Sequence, residues 1–457
     1  MTASSTTRQG LRSSAAVLAV AMLSVELVAA MQTYVTGTIT PLMAADLGAQ
    51  QHYGLLVAAV QAGLFLTMPL GAALLSRWSA ATMLSWLTPV VVLGGVVSAL
   101  APTFPVFLAG RVLAALASGA LMTVGMSALV TALPESWRRG VLAGYAMVWL
   151  VASLVGPLYA GWTAAVIGWR WALVAYLPLL LVARAVVISR LRRLDRAGQD
   201  GDRPLGVIPA IALAAGITLV SLAGPSWPSL VVAAVGTVVV ITASGRILPA
   251  GVLTARRGRP SGVLVVAVLC GSYFGAQAIV AITAHDLLGR GAGSIAVLLG
   301  AGGAGWSVMG AVCSRWPARG EAFTRRVAVG TGCLAVGAAV LAVSLLPGTE
   351  ALAVADVRWW LHLLGWTLCG VGMGTCYVDT LNRVLDEPEV PDGIATSEAA
   401  QALVMSEVIG TALITTATAS ALAWVAVLPA ERTAYSAVVY GGLGALALLL
   451  VPLSRRA

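Results

Sequence analysis

The chain has 457 residues, of which 59% are hydrophobic and only 10% charged. So few charges cannot cover the surface of a soluble protein of this size, and the chain reads as integral to a lipid bilayer. The net charge of +9 comes from 27 Arg with no Lys; it does not suggest nucleic-acid binding, and the missing Lys excludes a Gly-x-x-x-x-Gly-Lys nucleotide loop.

A helix needs about 20 apolar residues to cross the hydrocarbon core. On that measure the spans in chain order are 15–43, 53–75, 82–101, 104–132, 140–163, 170–189, 205–223, 227–244, 261–283, 293–313, 326–346, 358–380, 395–425 and 434–453. The first apolar run begins after a short polar stretch with Arg8 and Arg12 and continues to Met43, so it reads as an uncleaved first helix. The seventh and eighth spans, joined at Gly224-Pro225-Ser226, read as a hairpin. The polar stretch from Arg190 to Pro204 reads as a connector between two bundles.

Arginine placement sets the expected orientation. With the N-terminus in the cytoplasm, 22 Arg fall on the cytoplasmic side and four (Arg170, Arg290, Arg358 and Arg432) outside, with Arg111 inside a span. Both termini are then cytoplasmic.

The halves repeat. Ala45-Asp46-Leu47-Gly48 ends the first span, and His285-Asp286-Leu287-Leu288-Gly289 ends the ninth. Ser76-Arg77-Trp78 ends the second span, and Ser314-Arg315-Trp316 the tenth. Two matches in the same order make spans 1–6 and 9–14 parallel repeats about an axis along the membrane normal, with the bundle interface as the natural substrate path.

Two acids lie inside spans, where a charge is kept only at a cost. Glu26 is eleven residues past Ala15, roughly 16 Å along a helix, and Glu407 sits at a similar depth in its own span. A carboxyl held there can take a proton from one side, release it to the other, and attract a cationic compound. Asp379 and Glu398 lie nearer span ends, where water is expected to reach them. Tyr34, Trp149, Tyr159, Trp366 and Tyr377 are placed to line a cavity or to pack the core. The five Cys fall within or at the ends of apolar runs and read as small packing residues. No nucleophile–base set or metal cluster stands out, so neither an enzyme nor a cofactor is expected.

Four regions carry a resemblance to the major facilitator superfamily, and more narrowly to its fourteen-helix drug/proton antiporter branch. Ala72 to Ala81 occupies the place of the Gly-x-x-x-Asp-Arg-x-Gly-Arg-Arg loop, keeping Arg77 but carrying Ser76 for the Asp; Gly310 to Arg315 is the second copy. Arg111 to Gly119 resembles the family's intramembrane Arg motif, with Ala115 in place of a common Gly. Gly156-Pro157-Leu158-Tyr159-Ala160-Gly161 resembles the antiporter Gly-Pro-x-x-Gly-Gly motif, and Gly168-Trp169-Arg170-Trp171 a family turn. The resemblance implies gating loops at Arg77 and Arg315, proton coupling through Arg111, and an antiporter interface at Gly156, Pro157 and Gly161. Its fourteen-helix members often carry an Asp where this chain has Gln32, and Glu26 is expected to take over that charge. His362 lines up with Arg111 when Gly370 is set against Gly119.

The expected architecture is an all-α polytopic protein: a six-helix bundle over 1–203, an inserted transmembrane hairpin over 204–245, and a second six-helix bundle over 246–457. The expected function is proton-coupled export of small amphiphilic or drug-like compounds across a bacterial cytoplasmic membrane by a monomer. Its partners are the substrate, protons and lipid. An importer or facilitator of the same fold, and a lipid-handling protein with no proton cycle, are the alternatives.

Overall fold

The computed structural model describes residues 3–75, 77–133, 135–194, 207–346, 356–386, 394, 396–427 and 432–457. All regular structure among them is helical. In the first half, α1 (Ala3–Asp46), α2 (Tyr53–Leu75), α3 (Ala80–Ala99), α4 (Phe104–Ala132) and α5 (Glu135–Val166) follow in sequence. They are succeeded by the short α6 (Trp169–Ala172) and by α7 (Leu177–Leu194), then by a hairpin of α8 (Val207–Ser221) and α9 (Trp227–Ile247). The second half holds α10 (Arg259–Asp286), α11 (Ala292–Arg315), α12 (Glu321–Ser344), α13 (Val357–Leu385), α14 (Thr396–Val427), α15 (Arg432–Leu448) and α16 (Leu450–Ser454).

Thirteen stretches among the described residues are long and apolar enough to cross a membrane. The sequence-based seventh span is shorter than expected. As described, α8 has 15 residues, about 22 Å of helix against a hydrocarbon core of about 30 Å. The expected sixth span is present as one crossing, Trp169–Arg192, but its helix is interrupted where a turn over 173–176 separates α6 from α7. Pro178 lacks the N–H that would continue the ladder through that turn. Tyr159 of α5 donates its hydroxyl to the carbonyl of Ala172 there, at 3.3 Å.

Apolar side chains gain little by leaving lipid for one another, so close backbone packing must hold such helices together. Within the first half α1 packs on α5 and α7, while α4 packs on α2 and α3. Within the second half α10 packs on α14 and α13, and α13 also on α11 and α12. The bundles meet along α5 with α11, α2 with α14, and α1 with α10. The α8–α9 hairpin lies mainly on α2 and also touches α14, so it straddles that meeting line.

Two ends of the molecule can be named by their residues. At the Asp286 end, Asp46 pairs with Arg170 at 2.6 Å and accepts from the Trp169 indole at 3.2 Å. Asp286, its partner in the repeat, accepts from Tyr53 at 3.0 Å and lies 2.7 Å from His285. The Tyr53–Asp286 bond joins α2 of one bundle to α10 of the other. Beside it lies a cavity of about 460 Å³ lined by Gln50, Gln51, Tyr53, Ile282, Asp286 and Leu422 among others.

At the Arg77 end, Arg77 and Arg315 are exposed, and neither forms an ion pair with a described residue. Ser76 lies outside the described residues. A different pair is buried at this end. Asp379 is only 2% exposed and holds Arg326 at 2.6 Å, while its other oxygen accepts from the backbone N–H of Ala318 at 3.2 Å. Water access was expected for Asp379; instead the α11–α12 loop and Arg326 close over it.

Candidate functional site

The interface between the bundles is built on missing side chains. A Cβ on Gly156 would collide with Tyr34 of α1, and one on Gly161 would collide with Ala296 and the Ala292 carbonyl of α11. Gly303 of α11 lies against the backbone of Ser153 in the same way, and the Ser307 hydroxyl reaches the Leu150 carbonyl at 3.3 Å. The Gly-Pro segment therefore joins α5 to α1 at Gly156 and to the second bundle at Gly161.

On the second bundle an aromatic column fills the space behind this interface. Tyr273 of α10 stacks on Trp366 of α13, with centroids 5.0 Å apart and planes at 18°. Trp306 of α11 meets Tyr273 edge-on at 5.5 Å and Tyr377 of α13 at 5.7 Å. At the foot of the column, Tyr377 donates its hydroxyl to Glu407 of α14 at 3.1 Å. No described cation lies within ion-pair distance of Glu407. From the first bundle, buried Tyr34 comes within electrostatic reach of Glu407, Tyr273 and Tyr377.

Several polar atoms around this column are buried with no hydrogen-bond partner: Tyr34 Oη, Tyr273 Oη, Trp366 Nε1 and Gln277 Oε1. Each such atom costs about 1–3 kcal/mol if it stays unpaired. A polar guest or water drawn to them would recover that cost. Tyr34 and Trp366 were expected from sequence; Tyr273, Gln277 and Trp306 were not. The repeat would have found the first of these. Twelve residues before Asp46 and before Asp286 stand Tyr34 and Phe274, and Phe274 is the neighbour of Tyr273.

Glu26 occupies a different place. Its carboxylate accepts from the Trp149 indole at 3.2 Å, and Trp149 stands two residues into the apolar stretch Met147–Val166 of α5. Glu26 is twenty residues, about 30 Å, from Asp46. The apolar part of α1 runs over Ala16–Asp46, 31 residues and longer than a bilayer needs. Arg111 does not meet Glu26: the guanidinium donates to Thr36 at 3.1 Å, ten residues further along α1. Gln32 is half-buried on α1 one turn before Thr36.

His362 is fully buried and held from both ring nitrogens, by Ser344 at 2.8 Å and Thr283 at 3.2 Å, with Tyr440 also on Thr283 at 2.8 Å. The described Cys are free thiols. Among the described residues no His, Cys, Asp and Glu cluster could hold a metal ion.

Helix order, the two bundles and the central seam fit one known architecture, and the sequence profile of the Major Facilitator Superfamily matches residues 22–387. The chain belongs to the Major Facilitator Superfamily. Within this superfamily it is similar to a probable multidrug-efflux transporter of Mycobacterium tuberculosis (strain CDC 1551 / Oshkosh), 30% identical over 176 residues, 38% of this chain and 36% of that protein. It is also similar to an inner membrane transport protein of Escherichia coli (strain K12), 28% identical over 151 residues, 33% of this chain and 38% of that protein. The matched stretch thus spans a little over a third of either relative's length. Among solved structures, a POT family transporter in complex with 5-aminolevulinic acid superposes with a TM-score of 0.66 at 11% identity, covering 95% of this chain and 96% of that one. The human organic anion transporter MFSD10 gives 0.56 at 16% identity, covering 96% and 99%. At such identities these structures speak for the superfamily fold alone.

Proposed function

We propose that this superfamily member is a proton-coupled exporter of small amphiphilic compounds, working by alternating access, with Glu407 as the principal coupling acid. The observation that carries the reading is the placement of Glu407. It is an acid at the foot of an aromatic column, bonded to Tyr377, free of any described cation, and in reach of Tyr34 across the bundle interface. An acid so placed can hold either a proton or the positive end of an amphiphile whose flat part lies on the aromatic rings. Proton and cargo then compete for one group. The likeness to a multidrug-efflux transporter supports export.

In this reading the chain sits in a bacterial cytoplasmic membrane with both termini inside, as the arginine distribution favours. The Asp286 end then faces out. The Tyr53–Asp286 bond and the close approaches of Gly54 to Ser420 and Gly161 to Ala296 hold that end shut. Cargo enters from the cytoplasm, the bundles rock, and a proton arriving from outside displaces the cargo from Glu407. Return of the protonated form and loss of the proton inside complete the cycle. Glu26, toward the cytoplasmic end, serves cargo entry. The fourteen-helix antiporter branch is the subgroup that this cycle, the hairpin and the Gly156-Pro157 segment favour.

The test uses purified protein in liposomes with an imposed pH gradient and a fluorescent amphiphilic amine. Gradient-driven movement that disappears in Glu407→Gln, while downhill movement persists, supports the proposal. Movement insensitive to the gradient in the unmodified protein refutes it.

A further inference from the structure

Another buried charge, on the first bundle, has no acidic counterpart among the described residues. Arg111 is only 6% exposed. Of its five N–H donors, the one hydrogen bond it makes among the described residues goes to the neutral hydroxyl of Thr36, and Nε is buried with no partner. The described acids in the membrane-spanning part of the first half are engaged elsewhere, Glu26 by Trp149 and Asp46 by Arg170. A guanidinium cannot shed its proton in a protein, so burying it without an anion is strongly unfavourable.

The Arg111–Thr36 bond joins α4 to α1, two helices whose main packing partners lie elsewhere: α1 packs on α5 and α7, and α4 on α2 and α3. The second half shows that the fold does not demand an unpaired group at this position. The register that sets Gly119 against Gly370 sets Arg111 against His362, and His362 has partners on both ring nitrogens.

We infer that Arg111 receives a carboxylate of the transported compound. This rests on the reading of the chain as a transporter of small amphiphiles, and it extends the cargo to acids and zwitterions. A carboxylate matches the planar donor set, accepting two N–H groups side by side. The first bundle then recognises the anionic group, while the column and Glu407 on the second recognise a flat or cationic one.

The experiment is a binding titration at a single pH with no gradient, so that it is independent of proton coupling. Purified protein in lipid nanodiscs is titrated with 1-naphthylacetate and with its neutral amide, following tryptophan fluorescence. The acid is expected to bind about tenfold tighter than the amide, the size of effect a charge-assisted hydrogen bond supplies. The preference is expected to vanish in Arg111→Gln and to persist, reduced, in Arg111→Lys. Equal affinity for acid and amide in the unmodified protein, or no saturable binding of the acid, overturns the inference even if the variants do not fold. An acid preference that survives in Arg111→Gln overturns it as well. Failure here with intact gradient-driven flux would leave the exporter reading standing; the converse would leave the anion site standing.

Discussion

Tyr377 and Glu407 face each other from neighbouring helices of the second bundle, the phenol donating to the carboxylate at 3.1 Å. The pair lies where the aromatic column ends and where Tyr34 approaches from the first bundle. Replacing Tyr377 by Phe removes the bond while keeping the ring against Trp306. A neutral hydrogen bond contributes about 0.5–1.5 kcal/mol and one to a charged group about 1.5–3. Tyr377→Phe is therefore expected to preserve folding and to shift the external pH at which gradient-driven flux is half-maximal. Flux measured across a series of external pH values checks this; an unchanged profile would detach Glu407 from coupling.

Glu26→Gln is expected to leave gradient-driven flux coupled and to reduce its rate, because Glu26 is bonded to Trp149 near the Arg77 end and not to the column. Proteoliposome flux compared with Glu407→Gln decides it. Complete uncoupling by Glu26→Gln alone would exchange the roles of the two acids.

The seam between α5 and α11 gives a steric prediction. A side chain at position 161 would meet Ala296 and the Ala292 carbonyl, and backbone cannot yield as the tip of a flexible side chain can. Gly161→Val is expected to part the bundles at the Asp286 end. A cysteine placed at Tyr53 should then react faster with a membrane-impermeant maleimide than it does in the otherwise unmodified chain. Native thiols are replaced by Ala in both chains. Equal labelling rates would show that the seam does not hold this end shut.

Asp379 and Arg326 supply a stability prediction. Removing one partner of a buried pair leaves a bare charge and costs about 3–5 kcal/mol. Arg326→Met or Asp379→Leu alone should lower the melting temperature in detergent markedly, since Asp379 also holds the Ala318 N–H. The double change Arg326→Met with Asp379→Leu should recover a large part of that loss, as apolar replacements of buried pairs commonly do. A double variant as unstable as the worse single one would show that the Ala318 contact dominates.

Much of the fold was legible because each crossing needs a long apolar run, and such runs stand out whatever they pack against. The break in the sixth span was not, since Ala172 to Pro178 stays apolar throughout and only the turn geometry interrupts it. Sequence also singled out both membrane acids and Arg111 as unusual, because charge in an apolar run is conspicuous. It could not say which of them meet. In the structure Arg111 meets Thr36, ten residues and almost three turns along α1 from Glu26, which is bonded to Trp149 instead. Tyr273 and Trp306 escaped notice because a buried aromatic in an apolar span looks like any other core residue until its stacking partner on another helix is known.

The contact of α5 with α11 includes close approaches at Gly161, Gly303 and Ser153 that are made by backbone and short side chains. Stretches this smooth can slide or peel apart from one end without lifting bulky groups out of sockets. For the proposed cycle, the polar clasps beyond these stretches, Tyr53 with Asp286 first among them, become the contacts that have to open.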